Sequence, residues 1–196
     1  MQGADTAARI AAHELACQRG DRVLFRGLSF TLKRGEALQV SGANGIGKSS
    51  LLRLVAGLAR PFAGSITQDG TVGLVDERPA LDPELPLAGA LAFWSRLDGA
   101  QPAPLEALGL ADLLDVPVRF LSTGQRKRAA MARLIGQDAA IWLLDEPLNG
   151  LDVHAARFVE ELTAVHCANG GIALVASHQP FELPQMKQLA LSDYAA

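Results

Sequence analysis

The sequence predicts an α/β protein: a mostly parallel core sheet covered by helices, an N-terminal antiparallel β subdomain and an inserted helical subdomain. Three observations predict it. Ala37-Leu38-Gln39-Val40 is an apolar run that leads into a glycine-rich loop, and Leu51, Leu52, Leu54, Val55 and Leu58 then recur at helical spacing. Two further apolar runs of strand length, 139–144 and 172–176, flank a helix-patterned stretch. Strands that alternate with helices imply parallel pairing, because a parallel connection needs a long crossover. Finally, the composition shifts between Pro79 and Pro117, where six prolines and many leucines and alanines carry no strand pattern. That stretch reads as the helical insertion.

Each element has its own local signal. Residues 1–10 are Ala-rich and polar and read as a loose lead-in. From His13 to Leu32 short apolar runs alternate with breaks at Arg19-Gly20-Asp21 and Arg26-Gly27, which gives two or three antiparallel strands ending at Lys33-Arg34-Gly35. The helix after the glycine loop is expected to run to near Pro61. Gly64-Ser65-Ile66-Thr67 reads as a short strand, Asp69-Gly70 as a hairpin turn, and 71–75 as a buried strand. In the insertion, Leu87, Ala90, Leu91, Trp94 and Leu97 mark one amphipathic helix, and Leu105, Leu108, Leu110, Leu113 and Leu114 one or two shorter ones. Residues 123–136 read as a helix, and 139–144 as a central parallel strand. Asp152 is placed to cap a helix reaching about Ala168, with Phe158, Leu162 and Val165 facing inward. Residues 172–176 form a further buried strand and 187–191 a last short one. The whole chain, 1–196, reads as one domain, with a core of 1–78 and 129–196 and a helical subdomain at about 79–128.

Composition narrows the function. A chain of 196 residues with 49% hydrophobic content can build a real core, and a net charge of −3 argues against nucleic-acid binding by bulk charge. Cys17 and Cys167 are far apart and lack companions at metal spacing, so they read as small buried hydrophobes in a reducing cytoplasm. No run approaches the roughly 18 apolar residues of a membrane span. The stretch 1–12 carries Asp5 and Arg9 and lacks a signal-peptide pattern. The chain is therefore expected to be soluble by itself and to reach a membrane only through a partner.

The chemistry is carried by three short segments. Gly42-Ala43-Asn44-Gly45-Ile46-Gly47-Lys48-Ser49 fits the phosphate-loop pattern G-x-x-x-x-G-K-S, with Ser50 following. Glycines let backbone N–H groups converge on an anion, and the helix start adds its positive dipole end. Lys48 is expected on the β- and γ-phosphates of a nucleotide, and the Ser49 hydroxyl on Mg²⁺. Asp145 and Glu146 end the 139–144 run, where ligand chemistry gathers in open α/β sheets. There Asp145 would hold the metal and Glu146 would face the attacking water. In Leu121-Ser122-Thr123-Gly124-Gln125, Ser122 is a good N-cap and Gly124 lets a phosphate approach the backbone. This is a second candidate anion site without a lysine of its own.

In this order the segments resemble the Walker A, signature and Walker B motifs of the ATP-binding cassette (ABC) ATPases. Asn149-Gly150-Leu151-Asp152 is similar to their D-loop, and Ser177-His178 to their switch histidine. The resemblance implies the P-loop NTPase fold of an ABC-type nucleotide-binding domain and a homodimer in the ATP-bound state. ATP would lie between residues 42–50 of one copy and Ser122, Gly124 and Gln125 of the other. His178 would contact the γ-phosphate, Glu146 would polarise the water, and Asp152 would link the two sites. Two positions depart from the family. Arg19 stands where an aromatic residue usually stacks on adenine, although a guanidinium can also stack. Glu77 stands nearest the position of a metal-touching glutamine, and is expected to ligate Mg²⁺ and make nucleotide affinity unusually dependent on it. Arg126, Lys127, Arg128 and Arg133 read as a solvated helix face, and Phe93 with Trp94 as core of the small subdomain.

Finer details resemble the ATP-binding subunits of the cytochrome c maturation system, the haem exporter type. They are Arg22–Phe30, Asn44–Arg53, Leu121–Arg128 with Ala132-Arg133-Leu134, and Pro83-Glu84-Leu85 with Ala92-Phe93-Trp94. That group tends to have a histidine where Glu77 stands. The resemblance implies a peripheral subunit on the cytoplasmic side of a bacterial inner membrane, docked on a permease, whose ATP hydrolysis drives release of a haem-loaded chaperone. The chain lacks a Cys-x-x-Cys-His motif, so no direct haem binding is expected. Two other readings stay open on the residues: an ATPase serving another small exporter, and a nucleotide-sensing assembly module without turnover.

Overall fold

A computed structural model describes residues 8–99 and 103–196. Strands β1 (Arg9–Arg19), β2 (Arg22–Lys33) and β4 (Ala63–Asp69) form a three-stranded antiparallel sheet in the order β2-β1-β4. Strands β3 (Ala37–Ser41), β5 (Val72–Val75), β6 (Ile141–Asp145), β7 (Ile172–Ala176) and β8 (Lys187–Ala190) form a parallel sheet in the order β5-β6-β7-β3-β8. Helices α1 (Lys48–Val55), α2 (Leu87–Asp98), α3 (Thr123–Gly136) and α4 (Val153–Ala168) complete it.

Strands β6 and β7 are buried on both faces, which is why they read as continuous apolar runs rather than alternating ones. Alternate residues serve opposite layers. Ile141 and Leu143 of β6, with Ile172 and Leu174 of β7, pack against α1 and the antiparallel sheet. Trp142, Leu144 and Val175 pack against α2, α3 and α4. Helix α3 runs unbroken from Thr123 to Gly136, so it carries residues of both the insertion and the second layer.

Several sequence expectations need correction. Strand β1 already begins at Arg9, inside the expected lead-in; the rest of that lead-in, 1–7, lies outside the described residues. Helix α1 stops at Val55, short of Pro61, because Gly57 adopts φ 71, and Leu58 beyond it is exposed. Asp69-Gly70 is not a hairpin turn: β4 pairs with β1 and β5 with β6, so the chain changes sheets there. Strand β6 is, as expected, an interior parallel strand, flanked by β5 and β7. Helix α4 turns Val159, Thr163 and Cys167 fully inward, leaves Phe158 and Leu162 half-buried, and exposes Val165. On α2, Leu87 and Ala90 are buried but Leu97 is 66% exposed. The expected short helices at 105–114 are turns and one 3-10 segment at Ala111–Leu113.

Both cysteines are buried and free, as expected, and burial raises both thiols, Cys167 to about 11. Among the described residues no helix is long and apolar enough to cross a membrane.

The junction of β1 and β4 sets a sharp steric constraint. Glu14 adopts φ 48 within an irregularity of β1, and Gly64 (φ 77) packs beneath it. A Cβ on Gly64 would lie 2.3 Å from the Glu14 carbonyl oxygen, whereas Gly57 has open space around it. We expect Gly64→Ala to cost more than about 2 kcal/mol and Gly57→Ala about 1 kcal/mol, from backbone strain alone. Urea unfolding midpoints of the two variants check this, and equal losses would contradict it.

Candidate nucleotide and catalytic site

The loop 42–47 leaves the carboxyl end of β3 and feeds α1. Gly42, Gly45 and Gly47 adopt φ 144, 79 and 120, a region that side chains with a Cβ rarely enter. Gly47 also lies against Phe25 of β2, which a Cβ there would approach to 3.1 Å. Lys48 is buried, and its Nζ donates to the Gly42 carbonyl at 2.8 Å and more distantly to that of Ala43. The same ammonium is 3.4 Å from Oε1 of Glu146.

Asp145 ends β6 and Glu146 follows it. Burial pushes the Asp145 carboxyl above the usual carboxylate range, the charges of Glu146 and Glu77 push the same way, and the Ser49 hydroxyl and Lys127 pull it back. Its Oδ1 is buried without a hydrogen-bond partner. An orphaned carboxylate oxygen with Ser49 and Glu77 nearby suits a hard cation that seeks oxygen ligands. No cluster of three or more His, Cys, Asp or Glu at metal spacing occurs among the described residues. A cation held here would therefore take its remaining ligands from water and phosphate, as Mg²⁺ commonly does.

Glu146 adopts φ 47, unusual for a residue with a side chain. Its N–H donates to the Ala176 carbonyl at 2.8 Å. Its Oε2 accepts from Nδ1 of His178 at 2.8 Å, and from the His178 backbone N–H at 3.4 Å. An ionised carboxylate only accepts, so this contact fixes the proton on Nδ1 and leaves Nε2 for other partners. The carboxylate thus lies between a cation and an imidazole.

One cleft of about 360 Å³ gathers most of the residues singled out from the sequence. It is lined by Asn44, Gly45 and residues 47–50, with Glu77, Glu146 and His178 opposite. Arg19, Leu24 and Asn149 complete its lining. Arg19 and Glu77 also line the adjoining cleft that holds Asp145. Ser122, Gly124 and Gln125 line neither cleft. They form the start of α3 as a capping box: the Gln125 N–H donates to Ser122 Oγ at 3.2 Å, and the Ser122 N–H to Gln125 Oε1 at 2.8 Å. Gly124 packs against the next loop, where a Cβ would meet the Gly150 carbonyl oxygen at 2.6 Å. Asp152 caps α4 through Ala155, and that bond holds its carboxyl below the usual range.

The basic run is not a solvated face. Lys127 is buried, and its Nζ donates to the carbonyls of Asp145 (3.3 Å) and Glu146 (3.0 Å). Arg133 lies with its guanidinium 3.5 Å from the Trp94 ring centre. Trp94 is half-buried, but Phe93 is half-exposed and is not core. The sequence did carry a signal for Lys127: it shares the helical stripe of Ala130, Met131 and Leu134, all buried. Asn149, which the sequence offered only as the start of the D-loop-like segment, lines the cleft because of how the loop after β6 folds.

Comparison with known proteins gives a consistent result. Residues 25–149 match the family model described as ABC transporter. A cytochrome c biogenesis ATP-binding export protein CcmA of Novosphingobium aromaticivorans is 56% identical, covering 94% of this chain and 96% of the relative. Its counterpart in Zymomonas mobilis is 53% identical, over 96% of this chain and 87% of the relative. Among solved structures, a putative ABC transporter ATP-binding protein of Pyrococcus furiosus superposes with a TM-score of 0.81 at 20% identity, covering 96% of this chain and all of that one, a likeness of fold.

The packing of Gly124 on Gly150 yields a test. Gly124→Ala must displace the loop that follows Glu146. We expect nucleotide turnover to fall more than about tenfold, since small misplacements near reacting groups are costly. Binding of a non-hydrolysable ATP analogue to the isolated chain should stay unchanged. Equal loss of both would show that the glycine serves the cleft itself.

Proposed function

The chain belongs to the ABC transporter family, and on that premise we propose how its residues bind and hydrolyse ATP. It is an ATP-hydrolysing transporter subunit of the cytochrome c biogenesis, haem exporter type, and such subunits act with a membrane permease. The observation that carries the proposal is the contact of Glu146 with Lys48 on one oxygen and His178 on the other.

In this proposal the backbone N–H groups of 42–50 and the Lys48 ammonium take the β- and γ-phosphates. Phosphate competes for Lys48, which releases Oε1 of Glu146 to accept a proton from the attacking water. His178 holds the carboxylate in register through Nδ1 and presents Nε2 to the γ-phosphate. Ser49, Asp145 and Glu77 would hold Mg²⁺, which when bound offsets phosphate charge. The orphaned Oδ1 of Asp145 supports that assignment. Arg19, which lines the cleft, would stack on the base. The products are ADP and phosphate.

Ser122, Gly124 and Gln125 lie outside the cleft, which supports their use by a second copy. We read the working form as a head-to-tail homodimer with two ATP molecules at its interface and Asp152 between the sites. It would sit peripherally on the cytoplasmic side of the inner membrane, docked on a permease of the haem exporter type. ATP hydrolysis would drive release of a haem-loaded chaperone without contact between this chain and haem.

Glu146→Gln should lower turnover by the permease-bound protein at least about 100-fold while ATP binding persists. Retained turnover would remove Glu146 from the role of base. Glu77→Gln should flatten the Mg²⁺ dependence of ATP affinity, because a neutral amide ligates without repelling the triphosphate. Identical Mg²⁺ titrations for variant and wild type would exclude Glu77 from the metal.

A further inference from the structure

The role above leaves one buried cation unused. Lys127 is 5% exposed, and its ammonium donates to the backbone carbonyls of both Asp145 and Glu146. We propose that Lys127 is a positioning residue: it fixes the backbone of Glu146 and ties that residue to the helix carrying Ser122 and Gly124. The inference rests on Glu146 acting as the base.

Three observations support it. First, an ammonium is expensive to bury, and an apolar side chain would fill the same place among Ala130, Met131 and Leu134 more cheaply. What Lys127 supplies and an apolar residue cannot is a donor to two carbonyls. Second, Glu146 sits at φ 47, a conformation that persists only where the surroundings over-determine it. Its N–H is held by Ala176, and its carbonyl accepts from the Asn149 N–H at 3.2 Å and from Lys127 Nζ at 3.0 Å. Of these holds, Lys127 is the one that comes from outside the sheet and the loop itself. Third, α3 meets this loop twice: Lys127 binds its start, and Gly124 packs on Gly150 further along. A rotation of α3 therefore moves the Glu146 carbonyl together with Ser122 and Gly124. In a head-to-tail dimer, where Ser122 and Gly124 touch the opposite nucleotide, this rigid link would let that contact set the aim of Glu146 in the chain's own site.

The test uses the full chain assembled with its membrane partner. Lys127→Met should lower kcat about 10- to 100-fold with KM for ATP within about twofold of wild type, because aim is lost and binding is not. The Kd of the isolated chain for a non-hydrolysable ATP analogue should likewise hold. Lys127→Arg, whose guanidinium can donate to both carbonyls, should restore most of kcat. In a Glu146→Gln background Lys127→Met should add no further loss, because the group it positions is already gone. Should Lys127→Met not fold, Lys127→Gln carries the comparison: its shorter, uncharged amide keeps two N–H donors, and it should show a smaller loss of kcat at unchanged KM. The proposal is overturned by unchanged kcat, by KM and Kd rising with the loss, by failure of Lys127→Arg to restore turnover, or by an independent loss in the Glu146→Gln background. If Glu146→Gln itself keeps its turnover, the assignment of the base falls and this inference with it. If Glu146→Gln is inactive and Lys127→Met is not, this inference alone falls.

Discussion

The register between three parallel strands is the constraint on which the site depends. Asp145 of β6 and Val40 of β3 both lie opposite Ala176 of β7. The ladder continues past the strand ends, with the Glu146 N–H on the Ala176 carbonyl at 2.8 Å and the Ser177 N–H on the Val40 carbonyl at 3.1 Å. These bonds bring the start of the phosphate loop, the acidic pair and the Ser177-His178 segment to one level of the sheet. A slip of one residue would shift a strand by about 3.3 Å and exchange its two faces. It would turn Leu143 and Trp142 to the wrong layers and carry Glu146 away from Lys48 and His178 at the same time. The core and the chemistry are thus secured by the same hydrogen bonds.

The charge balance follows from that convergence. Lys48 and Lys127 are the cations buried near the strand ends, facing Asp145 and Glu146. Lys48 is shared between the Gly42 carbonyl and the Glu146 carboxylate, and Lys127 is taken up by the backbone carbonyls of Asp145 and Glu146, so neither fully neutralises the acidic pair. Glu77 adds a further negative charge, felt by both Asp145 and Lys127. Burial disfavours the charged form of Asp145, so ionising it in the folded chain works against folding. A cation on the orphaned Oδ1 would relieve that penalty and the repulsion together. The site is strained electrostatically as well as at the Glu146 backbone, a combination expected where stability yields to function.

How far the sequence reveals all this depends on how local each signal is. Strand, glycine loop and helix lie within about twenty residues, and their chemistry is set by neighbours in the chain, so the loop and Lys48 were legible at once. The capping box at Ser122 is equally local. Other features hinge on contacts between distant segments. Asp69-Gly70 has ordinary turn chemistry, and nothing near it says that the next strand joins a different sheet. Helix α4 has apolar residues at 158, 159, 162 and 165, which fit two faces about 100° apart. Packing against β7 chose the stripe with Val159. Lys127 was misjudged because charge usually marks a solvent face, while the stripe it occupies points inward.

Arg19 and Glu77, the two departures from the family pattern, acquire a common meaning from their position. They arise on β1 and just after β5, far apart in the chain, yet both line the same two adjoining clefts with Ser49 and Ser50. A neutral aromatic and a neutral amide at these places would leave the net charge of the cleft unaltered, and so does this pair, since one adds a cation and the other an anion. Distant phosphate would therefore meet much the same overall field, because opposite charges at similar range cancel. Close to each group the balance differs: the guanidinium favours an electron-rich base, and the carboxylate favours a metal over bare phosphate. Replacing either alone would shift the charge of the cleft by one unit and replacing both would not, so the two side chains set its balance together.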